Sequence, residues 1–500
     1  MTEALGKRIR RRDLLGKITT PEQAARAVKH GMKIATGGAT HAGYPRAFFL
    51  ALAERIKKGE RLQIDLHTCS PLGQEVDGEL AKLDAVRRRL SHQAQPPMAK
   101  AINEGKVLYA DMGACVYATQ VRYGFFGAMD LAIVEAVAIT EEGFIVPSTT
   151  LSDVPSLVRE AKQVIVEINL NLPEELEGIH DIHVPENPPH RKPIPIVRPT
   201  SRVGTPYIEV DPNKILYIIG SDLKGTLPTR PPVDEGSKAM ANHLIQFFEE
   251  EVRQGRMPPN LYPLQAGLGG VAEAVLRGLA TSHFKDLWIH SALLNDAVLD
   301  LIDAGKVVEA SGAGLYFSEE GLDRFFKNLQ RYKKVLVLRP LDISCSPEVI
   351  QRLGVIALNG AIEVDIYGHV NSTHIGGGRI LTGVAGSIEF ARNSSISVFL
   401  TPSVTKGTDV SCIVPMVTHV DHTEHEVSLI VTEQGYADLR GLDPRERARV
   451  IIDRCAHPEY RPLLHSYFEC ASSQSGGHEP QLLADPFPFH KKLKETGKMK

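Results

Sequence analysis

The densest concentration of residues able to hold a ligand is the run IEVDIYGHVNSTHIGGGRILTGVAGSIEFARNSS, residues 362–395. It crowds Gly368, Gly376, Gly377, Gly378, Gly383 and Gly386 between two apolar, strand-like segments. Backbone without side chains approaches a ligand closely, and a series of N–H groups can cradle a phosphate or hold the oxygen of a reacting carbonyl. Neither a G-x-G-x-x-G nor a Walker pattern is present, so the run does not define a dinucleotide or P-loop fold, and plain tight turns account for Gly376 to Gly378 equally well. A second cluster, HVDHTEHE at 419–426, sets three histidines at three-residue spacing among acids. Such a composition suits metal ligands. On a strand, however, alternate residues face opposite sides, and buried histidines bonded to carboxylates explain the pattern as well, so no metal site is assigned. Ser291, Cys345 and His290 make no recognisable triad by spacing. The six cysteines (Cys69, Cys115, Cys345, Cys412, Cys455, Cys470) are scattered without C-x-x-C spacing, which argues against a disulfide framework and against structural zinc.

The elements that must position these residues alternate along the chain. Short β-rich runs (KIATGG, LQIDLHT, LAIVEAVAI, QVIVEINL) are interleaved with helical stretches (PEQAARAVKHG, PRAFFLALAERIKKG), the signature of an open α/β domain with a largely parallel sheet. A Pro-rich segment from Val184 to Pro212 interrupts the pattern; it cannot be a helix or a central strand and reads as an ordered, extended connection. Alternation resumes with SKAMANHLIQFFEEEVRQG as a helix and DLWIHSALL, KVLVLR and ISVFLTPS as strands. Two α/β halves are expected, 1–215 and 216–500.

Five hundred residues with 43% hydrophobic content can build ample core. A formal net charge of −3 leaves no electrostatic footprint for nucleic acid. Basic residues cluster near both ends, KRIRRR at 7–12 and HKKLKETGKMK at 490–500, and both read as solvated tails. No apolar h-region follows the first, and no stretch has the length of a membrane span, so a soluble, cytoplasmic protein without membrane contact is expected.

Further blocks make the pattern specific: GGATHAGYPRAF at 37–48, DGELAK at 77–82, VEAVAITEEGFIVPS at 134–148, LEGIHDIH at 176–183, LQAGLGGVAEAVLRGL at 264–279 and the stretch from Val417 to Pro462. In this order, and over nearly the whole chain, they resemble the acetyl-CoA hydrolase and succinyl-CoA:acetate CoA-transferase branch of the class I coenzyme A transferases. The resemblance implies two similar doubly wound α/β domains with the acyl-CoA site in the cleft between them, a C-terminal arm, a homodimer, coenzyme A or acyl-CoA and a small carboxylate as substrates, and no covalently bound cofactor. It implies that backbone N–H groups of Leu268 and Gly386 form an oxyanion hole. It also implies that Leu264, Gln265, Ala266, Gly267, Leu268 and Thr382 line the CoA channel, and that Lys406 meets a CoA phosphate or the adenine end. Acyl specificity is expected from side chains around His41, Tyr44 and the Gly225 to Arg230 loop.

In such enzymes a glutamate attacks the thioester carbonyl and carries the acyl group and then CoA as covalent intermediates. Its pattern, (T/S)-E-x-x-x-D-G, aligns with Ser291, Ala292, Asp296 and Ala297, so the nucleophile's place is taken by Ala292. Cys345 in DISCSP stands where the family has an asparagine, and GVAGSIEF carries Ala385 and Glu389 where the family has a glycine and an aspartate. Three readings follow: a coenzyme A transferase acting on short-chain acyl-CoA, or derived from one; a diverged thioester hydrolase in which water or Cys345 attacks; and a non-catalytic CoA-binding protein. For Cys345 itself, simple packing is the better reading, because its sequence neighbours Asp342 and Glu348 disfavour a thiolate.

Overall fold

The structure, a computed structural model, describes residues 2–225, 227–230 and 232–500. The chain divides into two compact units whose boundaries interleave along the sequence: 1–230 with 290–299 and 309–352, and 231–289 with 300–308 and 353–500.

The first unit is organised on strands Lys33–Thr36 (β1), Ile64–His67 (β2), Val86–Leu90 (β3), Leu108–Ala110 (β4), Met129–Ile139 (β5), Ile145–Pro147 (β6), Ala161–Asn169 (β7) and Ile215–Ser221 (β8). They form one sheet in the order β4-β3-β2-β1-β5-β7-β8, parallel except for β6, which returns antiparallel to β5. The central β5 reads MDLAIVEAVAI and is buried along almost its whole length, as a continuous apolar run requires when both faces of a parallel strand are covered. Helix Arg46–Lys57 packs Phe48, Phe49 and Leu52 against this sheet. Its first N–H groups, at Arg46, Ala47 and Phe48, donate to the buried carboxylate of Glu167 on β7 at 3.0 Å. One side chain thus satisfies three of the donors that a helix start leaves without partners. Burial nevertheless pushes the Glu167 pKa up to about 7.

The basic N-terminal run is no solvated tail. Ile9 bridges to Ile139 at the end of β5, the Arg8 guanidinium donates to the carbonyls of Val137 and Leu172 at 3.0 Å, and Arg10 pairs with Glu177. The arginines are fixed because the end of β5 and the loop after β7 offer carbonyls and a carboxylate there. The Pro-rich connection carries no regular element between residues 184 and 211 and is pinned by single bridges, Ile182 with Thr205 and Ile145 with Ile208.

In the second unit, strands Leu264–Ala266, Ile356–Gly360, Ile396–Leu400 and Leu429–Thr432 run parallel, and Gly435–Asp438 closes the edge antiparallel. Helix Glu235–Arg253 starts at Asp234, whose carboxylate accepts from Ser237 N–H at 2.9 Å, and helix Pro444–Cys455 starts on a full capping box of Asp443 and Glu446. The basic C-terminal run is again structured rather than solvated. Helix Pro488–Thr496 buries Phe489, His490 meets Glu363 at 2.6 Å, and Met499 lies in the cluster built on Val364, Phe399 and Ile451. Among the described residues no helix is long and apolar enough to cross a membrane.

Candidate active site

Ala292 follows strand Leu287–His290, and its surroundings in the first unit are tightly specified. The His290 ring is fully buried, with Nδ1 2.9 Å from Ser311 Oγ and Nε2 2.9 Å from the Ser344 carbonyl. Burial, with the nearby charge of Arg339, pulls its pKa down to about 3, so it is neutral. A carbonyl can only accept, so Nε2 carries the proton and Nδ1 accepts from Ser311. Ala292 is half-buried, and its carbonyl accepts from Ala313 N–H at 2.8 Å. The next residues, Leu293–Asn295, pair in parallel with Gly314–Tyr316. Asp296, the nearest carboxylate in sequence, accepts from the N–H and hydroxyl of Ser318 at 2.8 and 2.7 Å. Glu309, the next glutamate, is bound by Arg198 and by the N–H and hydroxyl of Thr200. Both carboxylates are committed to holding the fold.

Cys345 closes the short helix Leu341–Ser344 and is 0% exposed. Asp342, in the same turn, receives Arg122 Nη1 at 2.6 Å, and the same nitrogen donates to Ser156 Oγ at 2.8 Å; both charged side chains are buried. Glu348 accepts from Ile194 N–H and from Arg352.

The residues assigned to CoA lie in the second unit. Leu264–Ala266 is a buried strand, and Gln265 Oε1 accepts from Leu358 N–H at 3.1 Å. The Gly267 N–H is taken by the Leu358 carbonyl at 2.8 Å, while Leu268 is 42% exposed. Gly269, with φ 134°, then admits helix Gly270–Thr281. Gly386 caps helix Ser387–Asn393, and Ala385 before it has φ 48°, the left-handed region that glycine adopts without cost. Thr382 is half-buried, its N–H on the Thr373 carbonyl at 3.4 Å. Lys406 is largely exposed, 3.3 Å from Asp234 at the start of helix Glu235–Arg253. Asp234 is held down to about 2, chiefly by the hydrogen bonds from Ser237 and then by Lys406.

The histidine-rich stretch is not a strand: residues 417–423 are irregular and Glu424–Glu426 is a 3-10 turn. Strand alternation therefore does not separate its side chains. His419 and Asp421 come together with His374, a residue the spacing did not single out, their ligand atoms within 4.8 Å of one another. The centroids of the two rings lie 3.8 Å apart with the planes tilted by 34°, and Asp421 already accepts from Ser372 and Thr373. His422 is buried against Phe399 instead.

A polar cavity in the first unit lies beside His41 and Gly225, two of the places named for acyl specificity, and is built on Arg46, Glu135 and Asn169, which the sequence reading did not single out. A charged residue in the middle of the apolar run VEAVAI was the signal that marked it.

The N-terminal domain model of the acetyl-CoA hydrolase/transferases matches residues 2–220 and the C-terminal domain model matches 321–468. Over 495 residues the chain is 44% identical to a succinyl-CoA:acetate CoA-transferase of Clostridium kluyveri, covering 99% of this chain and 92% of that one. It is 42% identical to an acetyl-CoA hydrolase of Schizosaccharomyces pombe over 518 residues, 100% of this chain and 99% of that one. The crystal structure of RipA from Yersinia pestis shares the fold at a TM-score of 0.69 and 20% identity, over 93% of this chain and 99% of that one. The chain belongs to the acetyl-CoA hydrolase/transferase family. The relatives are enzymes of CoA transfer and acetyl-CoA hydrolysis, so CoA thioesters are the substrates the family supports.

Proposed function

We propose that the chain binds a short-chain acyl-CoA and acts on its thioester by direct attack of water rather than through an acyl-glutamyl enzyme. The observation that carries this is the side chain at 292, a methyl group at the position the resemblance assigns to the nucleophile, with Asp296 and Glu309 already bound to Ser318, Arg198 and Thr200. In this reading Leu268 and Gly386 N–H groups hold the negative charge that develops on the thioester oxygen. The water oxygen adds to the carbonyl, one of its protons passes to solvent, the C–S bond breaks, CoA leaves as thiolate, and a carboxylic acid is released. Leu264 to Leu268 and Thr382 line the CoA arm, and Lys406 meets a CoA phosphate as a point charge. Cys345, buried beside a paired Asp342, has a packing role. The reading includes a homodimer in the cytoplasm, to be checked by sedimentation and fractionation.

A second reading, CoA transfer to a carboxylate, is favoured by the 44% identity to the clostridial transferase. The acceptor carboxylate then takes the place of water, giving a mixed anhydride and CoA thiolate; the thiolate attacks the acceptor's carbonyl, the anhydride C–O bond there breaks, and the original acyl group leaves as its carboxylate. Incubation with acetyl-CoA or succinyl-CoA and labelled acetate separates the cases. Thiol release without label in the CoA pool is expected; label in acetyl-CoA establishes transfer. Neither signal, with CoA still bound in a titration and bound more weakly by Lys406→Ala, makes the chain a CoA-binding protein. Absence of binding at millimolar CoA overturns all three.

A further inference from the structure

Three side chains with no part in the thioester chemistry converge in the second unit. His374 stands on a short hairpin, His374–Ile375 against Arg379–Ile380, while His419 and Asp421 come from the irregular segment before Glu424. Asp421 is buried and its orientation is fixed. Oδ2 accepts from the Ser372 N–H at 2.6 Å and from the Ser372 hydroxyl at 3.1 Å, and the Thr373 hydroxyl lies 2.9 Å from both oxygens. Oδ1 is left turned to His419, 3.2 Å from its Nε2.

The fully buried Thr373 also sets the tautomer of His374. Its hydroxyl has one proton and a carboxylate can only accept, so the proton goes to Asp421 and Oγ1 accepts from His374 Nδ1 at 2.7 Å. Nδ1 therefore carries the ring proton and Nε2 keeps its lone pair. Burial, then His419, outweigh Asp421 and pull the His374 pKa down, so the ring is neutral. A neutral histidine with one N–H held by an oxygen and the other nitrogen bare is the form that ligates a metal. Both histidines are half-buried, so an ion with its water can reach them.

We propose that His374, His419 and Asp421 bind one divalent cation of the zinc type, with water in the fourth position, and that the ion clamps the hairpin to the 419–421 segment. Two imidazoles with one carboxylate suit zinc and its first-row neighbours, whereas magnesium and calcium take oxygen shells. The 3.2 Å between His419 Nε2 and Asp421 Oδ1 already matches the ligand-to-ligand edge of a tetrahedral zinc site, about 3.3 Å. With ring centroids 3.8 Å apart, a small turn of the hairpin brings His374 to the same ion. The hairpin can make it, because its turn is Gly376 to Gly378, with Gly376 and Gly377 at φ 59° and 87° and open space around them. Facing a carboxylate, His419 Nε2 carries a proton when no ion is present; the cation takes that proton's place and releases it to solvent. The Thr373 carbonyl accepts from the Leu381 and Thr382 N–H groups, so the clamp reaches residue 382.

Calorimetry with Zn2+ and visible absorption with Co2+, on full-length protein first stripped with a chelator, test the assignment. One equivalent of Zn2+ bound with a Kd below about 10 μM is expected. Co2+ should give the strong visible bands of a four-coordinate ion, lost on adding Zn2+ and unmoved by excess Mg2+. Weaker Zn2+ binding, a Co2+ spectrum of the hydrated ion alone, or displacement by Mg2+ overturns the proposal, and these readouts need no variant to fold. His374→Ala and His419→Ala should each raise the Kd at least about a hundredfold, and Thr373→Val, which removes the group that sets the tautomer, roughly 10–100-fold. His425→Ala, at an exposed histidine of the same stretch, should leave it unchanged. Binding undiminished in His374→Ala is adventitious surface zinc and overturns the site. Hydrogen exchange at residues 371–382 and 417–423 should slow with Zn2+ in the native protein and not in His374→Ala; exchange indifferent to Zn2+ overturns the clamp. None of these measurements involves CoA or an acid, so their outcome is independent of the thioester reading.

Discussion

Removing Asp342 should both destabilise the first unit and uncover Cys345. Arg122 and Asp342 are 2% and 3% exposed, their contact is 2.6 Å, and Ser156 and Thr119 accept from the same guanidinium. Asp342→Ala therefore strands a buried positive charge, which costs about 3–5 kcal/mol, whereas deleting both charges costs far less. At about 2–4 °C per kcal/mol for a unit of this size, the single variant should melt roughly 6–20 °C below the native protein. Arg122→Met with Asp342→Leu should recover most of that loss. Because the pair ties the turn Leu341–Ser344 to helix Ala114–Arg122, the Cys345 thiol should react with a maleimide in Asp342→Ala much faster than in native protein. Urea melts and peptide mapping of the label supply both readouts. A single variant that loses less than about 1 kcal/mol, or a double variant no better than the single, refutes the reasoning.

Ala292→Glu should introduce measurable CoA exchange, and adding Cys345→Asn and Ala385→Gly should raise it further; silence in the triple variant means that the register placing the nucleophile at 292 is wrong. After incubation with acetyl-CoA, mass spectrometry should find no acyl adduct on Cys345, because a fully buried thiol is out of reach, and an adduct lost in Cys345→Ser would reverse its assignment to packing. His369 lies 3.2 Å from Asp365 and 3.6 Å from Glu424. Burial pulls its pKa down, but the hydrogen bond and charge of Asp365, then Glu479 and Glu424, outweigh burial and raise it to about 9. A histidine raised in the folded state adds stability that is complete below its unfolded value near 6.5 and is lost as pH rises through 9, about 3 kcal/mol across that window. His369→Gln should flatten this fall between pH 6.5 and 9.5 in urea melts, and parallel curves for the two proteins would contradict the assignment.

Periodicity made the sheets legible. KIATGG, LAIVEAVAI and QVIVEINL are β1, β5 and β7, and the helices at Arg46–Lys57 and Glu235–Arg253 fall where amphipathic spacing puts them. What failed was any inference that needed a partner. Arg8 and Arg10 look like solvent-bound charges until β5 and Glu177 are beside them, and the HVDHTEHE spacing says nothing once the backbone there is irregular. The expectation that Ala292 stands at the nucleophile's position rests on resemblance alone, because an alanine has no chemistry to announce. Glu135 was readable in principle: a carboxylate in an apolar strand must find a partner or a ligand.

The interleaving of the two units sets the order in which this protein can assemble. A ribosome releases residues 1–230 well before 290–299 and 309–352, the segments that supply Ala313 to Leu151 and Arg339 to Asp181. For on the order of ten seconds of elongation the first unit waits with its remaining strands still unmade. A fragment ending near residue 230 would wait indefinitely, with the Leu151 amide unmatched and Asp181 held only by the Val203 and Gly204 N–H groups. Vectorial synthesis thus couples completion of the first unit to passage of much of the second. Pauses in translation between residues 230 and 352 should govern the yield of folded protein more than pauses anywhere upstream.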